Sequence, residues 1–192
     1  HADGRMLRAL RQPDGFELAV IDTRAMPVIF GAMRDAETRD GLFWGEVVRV
    51  ETSTQVLVNG RYPMRVGGKY LGLLAVTVQI DQLSRLLDTA ADALGGRAFV
   101  LYGERLVLAH RRLIEGVALA PGELLPEMRQ IGDPVLDALA GGAAETPRET
   151  AFEARTGIRL LTAGGRQYAL LLQTLTGYSD RPWHLGVYFP AA

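Results

Sequence analysis

NGRYPMRVGGKYLGLLAVTVQID, residues 59–81, is the stretch that decides the fold. Two extended runs flank Gly67 and Gly68, a pair that accepts the positive backbone dihedrals of a two-residue hairpin turn. The second run ends at Asp81, a residue suited to capping a helix. The stretch therefore predicts a hairpin that feeds a helix. Residues 70–80 include β-branched Val76, Thr77, Val78 and Ile80 and almost no charge, so they predict a central strand buried on both faces.

Outward from the hairpin the chain predicts two sheets in tandem. Residues 44–51 (WGEVVRVE) and 54–59 (TQVLVN) are expected strands joined across Thr52 and Ser53, giving four consecutive antiparallel strands with the hairpin. Leu83, Leu86, Leu87, Ala90, Ala91 and Leu94 form an apolar stripe on an expected helix that starts at Asp81 and closes at Gly95 and Gly96. Upstream, Met6, Leu7 and Leu10 predict a helix over 5–11 stopped by Pro13-Asp14-Gly15, then a strand over 16–21, then mostly loop with a short helix over 22–41. Downstream, 97–102 and 105–109 predict a second hairpin, and 123–129 a short helix. Asp133 and Pro134 are the cap and first-turn proline of a helix to Leu139, and 142–148 is an expected loop. Strands follow at 158–163, 166–175 and 183–189, with a Gly164-Gly165 turn that echoes Gly67-Gly68. The fold class is α+β, with residues 1–80 as one module, 81–95 as a connecting helix and 96–192 as a second module.

Composition removes several functions. The 192 residues are 48% hydrophobic and 22% charged, with a net charge of -1 and 21 scattered basic residues, so no electrostatic footprint for nucleic acid is present. The absence of cysteine excludes disulfides, thiolate catalysis and zinc-thiolate sites. No apolar run approaches the roughly 18 residues of a spanning helix. The chain opens His1-Ala2-Asp3 without methionine and reads as a piece of a longer protein. The serines Ser53, Ser84 and Ser179 have no nucleophile elbow, and His110 and His184 have no second ligand at metal spacing. An acid–base pair of His110 with Glu104 or Glu115 is the catalytic alternative. No cofactor is expected.

Register supplies the candidate binding residues. A two-residue turn at Gly67-Gly68 sets Tyr62 opposite Leu73, Gly60 opposite Ala75 and Val58 opposite Thr77. A two- or four-residue turn at 52–53 sets Arg49 opposite Val56 and Val47 opposite Val58 on the same face. Arg49, Tyr62 and Thr77 would then form a receptor for a carboxylate, since a guanidinium fork offers bidentate, charge-assisted hydrogen bonds. A three-residue turn would remove Arg49 from the set, and the plain alternative puts Arg49 at a solvated edge and Tyr62 in the core. Trp44 with Phe43 is either a pocket wall or core packing.

The chain resembles the extracytoplasmic double Cache sensor domains of bacterial receptors, which are built from PAS-like modules. The resemblance rests on Tyr62-Pro63-Met64-Arg65, residues 67–74 (GGKYLGLL), residues 78–87, the hairpin from 98–102 to Leu108-Ala109-His110, Tyr168, and residues 182–188 (PWHLGVY). It is to the versions fused to adenylate or guanylate cyclases and, less often, to histidine kinases. It covers the chain from about Trp44 onward. It implies a long N-terminal helix, for which 5–11 is too short, and a periplasmic domain of a membrane-anchored parent. It also implies a small-molecule ligand between the first sheet and residues 22–41, with the signal passing along the connecting helix toward a membrane helix after Pro190. Amine-sensing members of the family carry an acidic residue where this chain has Thr77, which favours an anionic or neutral ligand. The competing expectation is a ligand-free module of the same fold that forms a homodimer or docks a partner.

Overall fold

Gly67 and Gly68 have φ of 57° and 79°, as a two-residue hairpin turn requires, and the extended runs on either side pair with each other. In this computed structural model, which describes residues 5–22, 24, 27–49, 55–142, 158–177 and 179–191, the first half of the chain has eight elements. They are β1 (Arg5–Gln12), β2 (Gly15–Asp22), α1 (Pro27–Glu37), β3 (Phe43–Trp44), β4 (Val48–Arg49), β5 (Val56–Val66), β6 (Lys69–Gln79) and α2 (Ile80–Asp92). The second half has β7 (Arg97–Tyr102), β8 (Leu106–His110), α3 (Arg111–Glu115), a 3-10 turn (Met128–Gln130), α4 (Pro134–Ala140), β9 (Ile158–Ala163), β10 (Arg166–Leu175) and β11 (Trp183–Pro190). The fold is α+β. It divides into two units, His1–Gly45 with Asn59–Thr77, and Glu46–Val58 with Val78–Ala192. Residues 46–58 thus group with the second unit, and α2 packs on β7, β8 and α3 of that unit. The turn expected at Thr52-Ser53, and the loop expected at 142–148 from residue 143 on, lie outside the described residues.

In the first unit β1 and β2 form a hairpin from Arg5↔Asp22 to Gln12↔Gly15 around Pro13 and Asp14. Residues 5–11 are therefore a strand where the periodicity predicted a helix. Three apolar residues in seven fit either period, and the hydrogen-bonding partner at 15–22 decides between them. Residues 22–41 hold an eleven-residue helix, α1, where mostly loop was expected; Pro27 opens it with a φ already suited to a helix. Tyr70 donates its hydroxyl to the Met33 carbonyl at 2.8 Å, and Arg65 donates to the Glu37 carbonyl at the end of α1. Arg65 also lies over the Tyr70 ring. Both residues, opposite each other in the hairpin, thus face α1, together with buried Pro63.

The other face of this hairpin is bare. Tyr62, Met64, Val66, Leu71, Leu74 and Val76 are 42–68% exposed. Residues 70–80 are therefore not a strand buried on both faces: among the described residues β6 pairs only with β5, as an edge strand, and most of its side chains are exposed. The apolar positions on that face step from Leu71 to Leu74, three residues, where strict alternation gives two. Gly72, between them, is buried and at φ 153°.

The second unit is a five-stranded antiparallel sheet in the order β8-β7-β11-β10-β9. β7 is buried from Ala98 to Tyr102, with a helix layer on each face, as strands covered on both sides read in sequence. On one face Phe99, Leu101, Val107, Leu161, Leu170 and Tyr188 pack with Met128, Ile131, Val135 and Leu136. On the other lies α2, which buries Ile80, Ser84 and Ala91 and leaves Leu86 and Leu94 of the expected stripe 69% exposed. Ser84 fits this dry interface because its hydroxyl donates to the Ile80 carbonyl and accepts the His110 amide, so no polar group is stranded. Gly186 is required where it stands: a Cβ there would lie 2.1 Å from the Phe99 ring. The expected helix at 123–129 is only a 3-10 turn at 128–130, whereas α4 starts as expected, with Asp133 accepting from the Val135 and Leu136 amides.

Candidate functional site

Three of the four candidate residues lie in the first unit. Trp44 pairs with Gly60, and its ring lies over that glycine: a Cβ on Gly60 would be 3.4 Å from it. Strand alternation puts Tyr62 on the same face as Gly60, so Trp44 and Tyr62 share the bare face, one half-buried and the other 51% exposed. Thr77 does not join them. Its hydroxyl donates to Asn59 Oδ1 at 2.9 Å, and Asn59 alternates with Arg61 and Pro63, on the face toward α1. Pairing counted from the turn set Thr77 opposite Val58, with Tyr62; the bond to Asn59 sets it apart from them.

The α1 segment, moreover, covers the face opposite to Tyr62. Among the described residues, Tyr62 and α1 therefore lie on opposite sides of the β5–β6 pair.

Arg49 belongs to the second unit. It pairs with Val56, as the register predicted, and its guanidinium donates to the Glu123 carbonyl. This bond ties the β4 strand to the irregular segment after α3. That segment lines a cavity of about 420 Å³ through Val117, Leu125 and Pro126, together with Val56, Ile80 and Asp81. Its size is in the range of small-molecule sites.

A second feature of this unit escaped sequence reasoning because its parts are far apart in the chain. Tyr188 donates its hydroxyl to Asp133 Oδ2 at 2.6 Å, and His110 Nε2 stands 3.6 Å from the same oxygen. His110 is 1% exposed; its Nδ1 accepts the Arg112 amide at 3.2 Å, which assigns the ring proton to Nε2. Burial pushes the Asp133 carboxyl up, but the His110 imidazole, the Tyr188 hydroxyl and the Leu136 amide outweigh it and hold the pKa at about 2. Burial and the Asp133 charge push Tyr188 up, so it remains a donor. His110 thus caps α3 and adjoins Asp133. Glu115 pairs with Arg111 and Arg112, and Glu104 is exposed, so neither forms the catalytic pair weighed above. Among the described residues no group of three or more acidic or histidine side chains could hold a metal ion, and no helix is long and apolar enough to cross a membrane.

The α+β fold with antiparallel sheets is shared with solved ligand-binding domains of bacterial chemoreceptors. The chain superposes on the domain of the Campylobacter jejuni chemoreceptor Tlp3, solved with 4-methylisoleucine, with a TM-score of 0.54 and 12% identity, covering 98% of this chain and 62% of that one. It superposes on the domain of the Pseudomonas fluorescens chemoreceptor CtaA, solved with L-serine, with a TM-score of 0.50 and 14% identity, covering 95% and 71%. No family model matches the sequence, and no curated protein is significantly similar to it.

Proposed function

We propose that this chain is the extracytoplasmic sensing part of a membrane-anchored signalling receptor and that it binds a small organic molecule. The observation that carries the reading is the superposition over nearly the whole chain on chemoreceptor ligand-binding domains. The sequence resemblance adds a cyclase or histidine-kinase output to the proposal, with residues 1–80 as the membrane-distal module, 81–95 as the connecting helix and 96–192 as the proximal module. The ligand is neutral or anionic. It lies on the Trp44–Tyr62 face, where an indole and a phenol offer stacking area and a hydroxyl. Arg49, in the second unit, holds the Glu123 carbonyl, and Thr77 holds Asn59. Sensing then requires only that the ligand prefer one of two arrangements of the protein.

A thermal-shift screen with small carboxylates, amino acids, amines, purines and sugars tests this. A ligand at about a hundred times its Kd adds roughly 2.7 kcal/mol, a shift of roughly 5 to 11 °C for a chain of this size. The shift should disappear in Trp44→Ala and Tyr62→Ala. A cooperative melt that no compound class moves would refute the reading.

One observation favours a second reading. Six exposed apolar side chains on one sheet face suit a surface that associates with a partner or a second copy. Sedimentation that shows self-association, abolished by Leu74→Glu and indifferent to every compound, would establish it.

A further inference from the structure

The polar cleft of the second unit has the chemistry of a ligand site of its own. Its volume is about 280 Å³. Asp133, Tyr188, His110 and Glu115 line it together with Arg97, Arg111 and Arg112. The acceptors of Asp133 are only partly used. Oδ1 takes two backbone amides and Oδ2 takes the Tyr188 hydroxyl. The buried His110 Nε2–H lies 3.6 Å from Oδ2, beyond hydrogen-bond reach, and has no other partner, so Oδ2 keeps one acceptor site.

The arginines are also under-used. Among the described residues Arg97 is 3.5 Å from Asp88, and Arg111 and Arg112 share Glu115 at 3.8 and 2.9 Å. Each guanidinium has five N–H donors, so most remain available. Arg97, Arg111 and Arg112 share the cleft with two carboxylates, Asp133 and Glu115, and Asp88 lies 3.5 Å from Arg97. A ligand that matches must present a carboxylate to the guanidiniums and a hydrogen-bond donor to Asp133.

We infer that this cleft is a second binding site, for a small carboxylate that carries an amino or hydroxyl group on the adjacent carbon. The inference goes beyond the sensor reading above, whose ligand lies in the first unit. A donor is required because the fixed negative charge of Asp133 repels a plain anion and rewards an N–H or O–H.

Propionate, L-lactate and L-alanine share one carbon skeleton and differ only at that adjacent carbon, so they are the probes. Calorimetric titration of the chain should show lactate, alanine or both binding about ten- to a hundredfold more tightly than propionate, the factor for one hydrogen bond to a charged group. Whichever of the two binds identifies the donor. Asp133→Asn, which retains the helix cap, should erase the advantage over propionate. Arg97→Gln should weaken all binding, and Arg97→Lys should restore it only in part because the fork is lost. Melting curves check that each variant is folded. Equal binding of all three probes, or no binding of any, overturns the inference. Binding that survives both Asp133→Asn and Arg97→Gln also overturns it and puts the ligand elsewhere, leaving the sensor reading intact. The wider compound screen with Trp44→Ala and Tyr62→Ala tests that reading separately.

Discussion

Replacing Asp133 with alanine removes two supports of the second unit at once. The cap on α4 is lost, which costs about 1 kcal/mol, and the Tyr188 hydroxyl, on a side chain 4% exposed, is left without its acceptor, which costs about 1 to 3 kcal/mol. The sum, roughly 2 to 4 kcal/mol, corresponds to a fall in Tm of roughly 4 to 16 °C. Asp133→Asn should cost less than half as much, because the amide oxygen still caps the helix and the amide NH2, in place of Oδ2, can donate to the phenol oxygen once the hydroxyl turns. Trp183 is buried in this unit and Trp44 lies in the other, so fluorescence in a Trp44→Phe background follows the second unit alone. The pH dependence gives an independent check. The folded pKa of about 2 lies below the ordinary 3.8, so the stabilisation is fully present above that value and is lost as pH falls through about 2. The asparagine variant should lack this component of acid unfolding. An alanine variant within about 0.5 kcal/mol of the parent, or asparagine as damaging as alanine, would refute the account of Asp133 as a joint between α4 and β11.

Other substitutions probe other contacts. Gly186→Ala should destabilise by about 3 kcal/mol or prevent folding, since its Cβ would overlap the fully buried Phe99; a normal melting curve would show that the close approach of β11 to Phe99 is wrong. Arg49→Ala should cost about 1 to 2 kcal/mol in chemical denaturation by releasing the Glu123 carbonyl; loss of anion binding with unchanged stability would instead return Arg49 to a binding role. Ser84→Ala should cost about 1 to 3 kcal/mol by stranding the His110 amide, and amide hydrogen exchange at His110 should accelerate.

Much of the second unit can be read from local pattern. Asp133-Pro134 marks the start of α4 because cap and proline act within one turn, and Gly164-Gly165 marks the β9–β10 turn because both sit at positive φ. The first unit is harder. Residues 5–11 fit two periods, and a strand partner ten residues on decided the outcome. Thr77 bonds Asn59 on the other face, so a residue set derived by counting from the turn came apart. Residues 70–80 look buried in sequence because they are apolar, yet burial depends on what covers them, which composition does not encode. The His110–Asp133–Tyr188 cluster was invisible for a related reason: its members come from three elements whose proximity only the sheet order creates.

That sheet order has a consequence for how the second unit is built. β11, nearly the last residues of the chain, is the middle strand, with β7 and β8 on one side and β9 and β10 on the other. Two hairpins can form during synthesis, but they share no hydrogen-bonded edge until residues 183–190 arrive between them. The unit must therefore wait for its final segment to close, a slow long-range step, and in the interval both hairpins expose unpaired edges. In the finished protein a pull or twist applied at Pro190 enters at the centre of the sheet and bears on both halves equally.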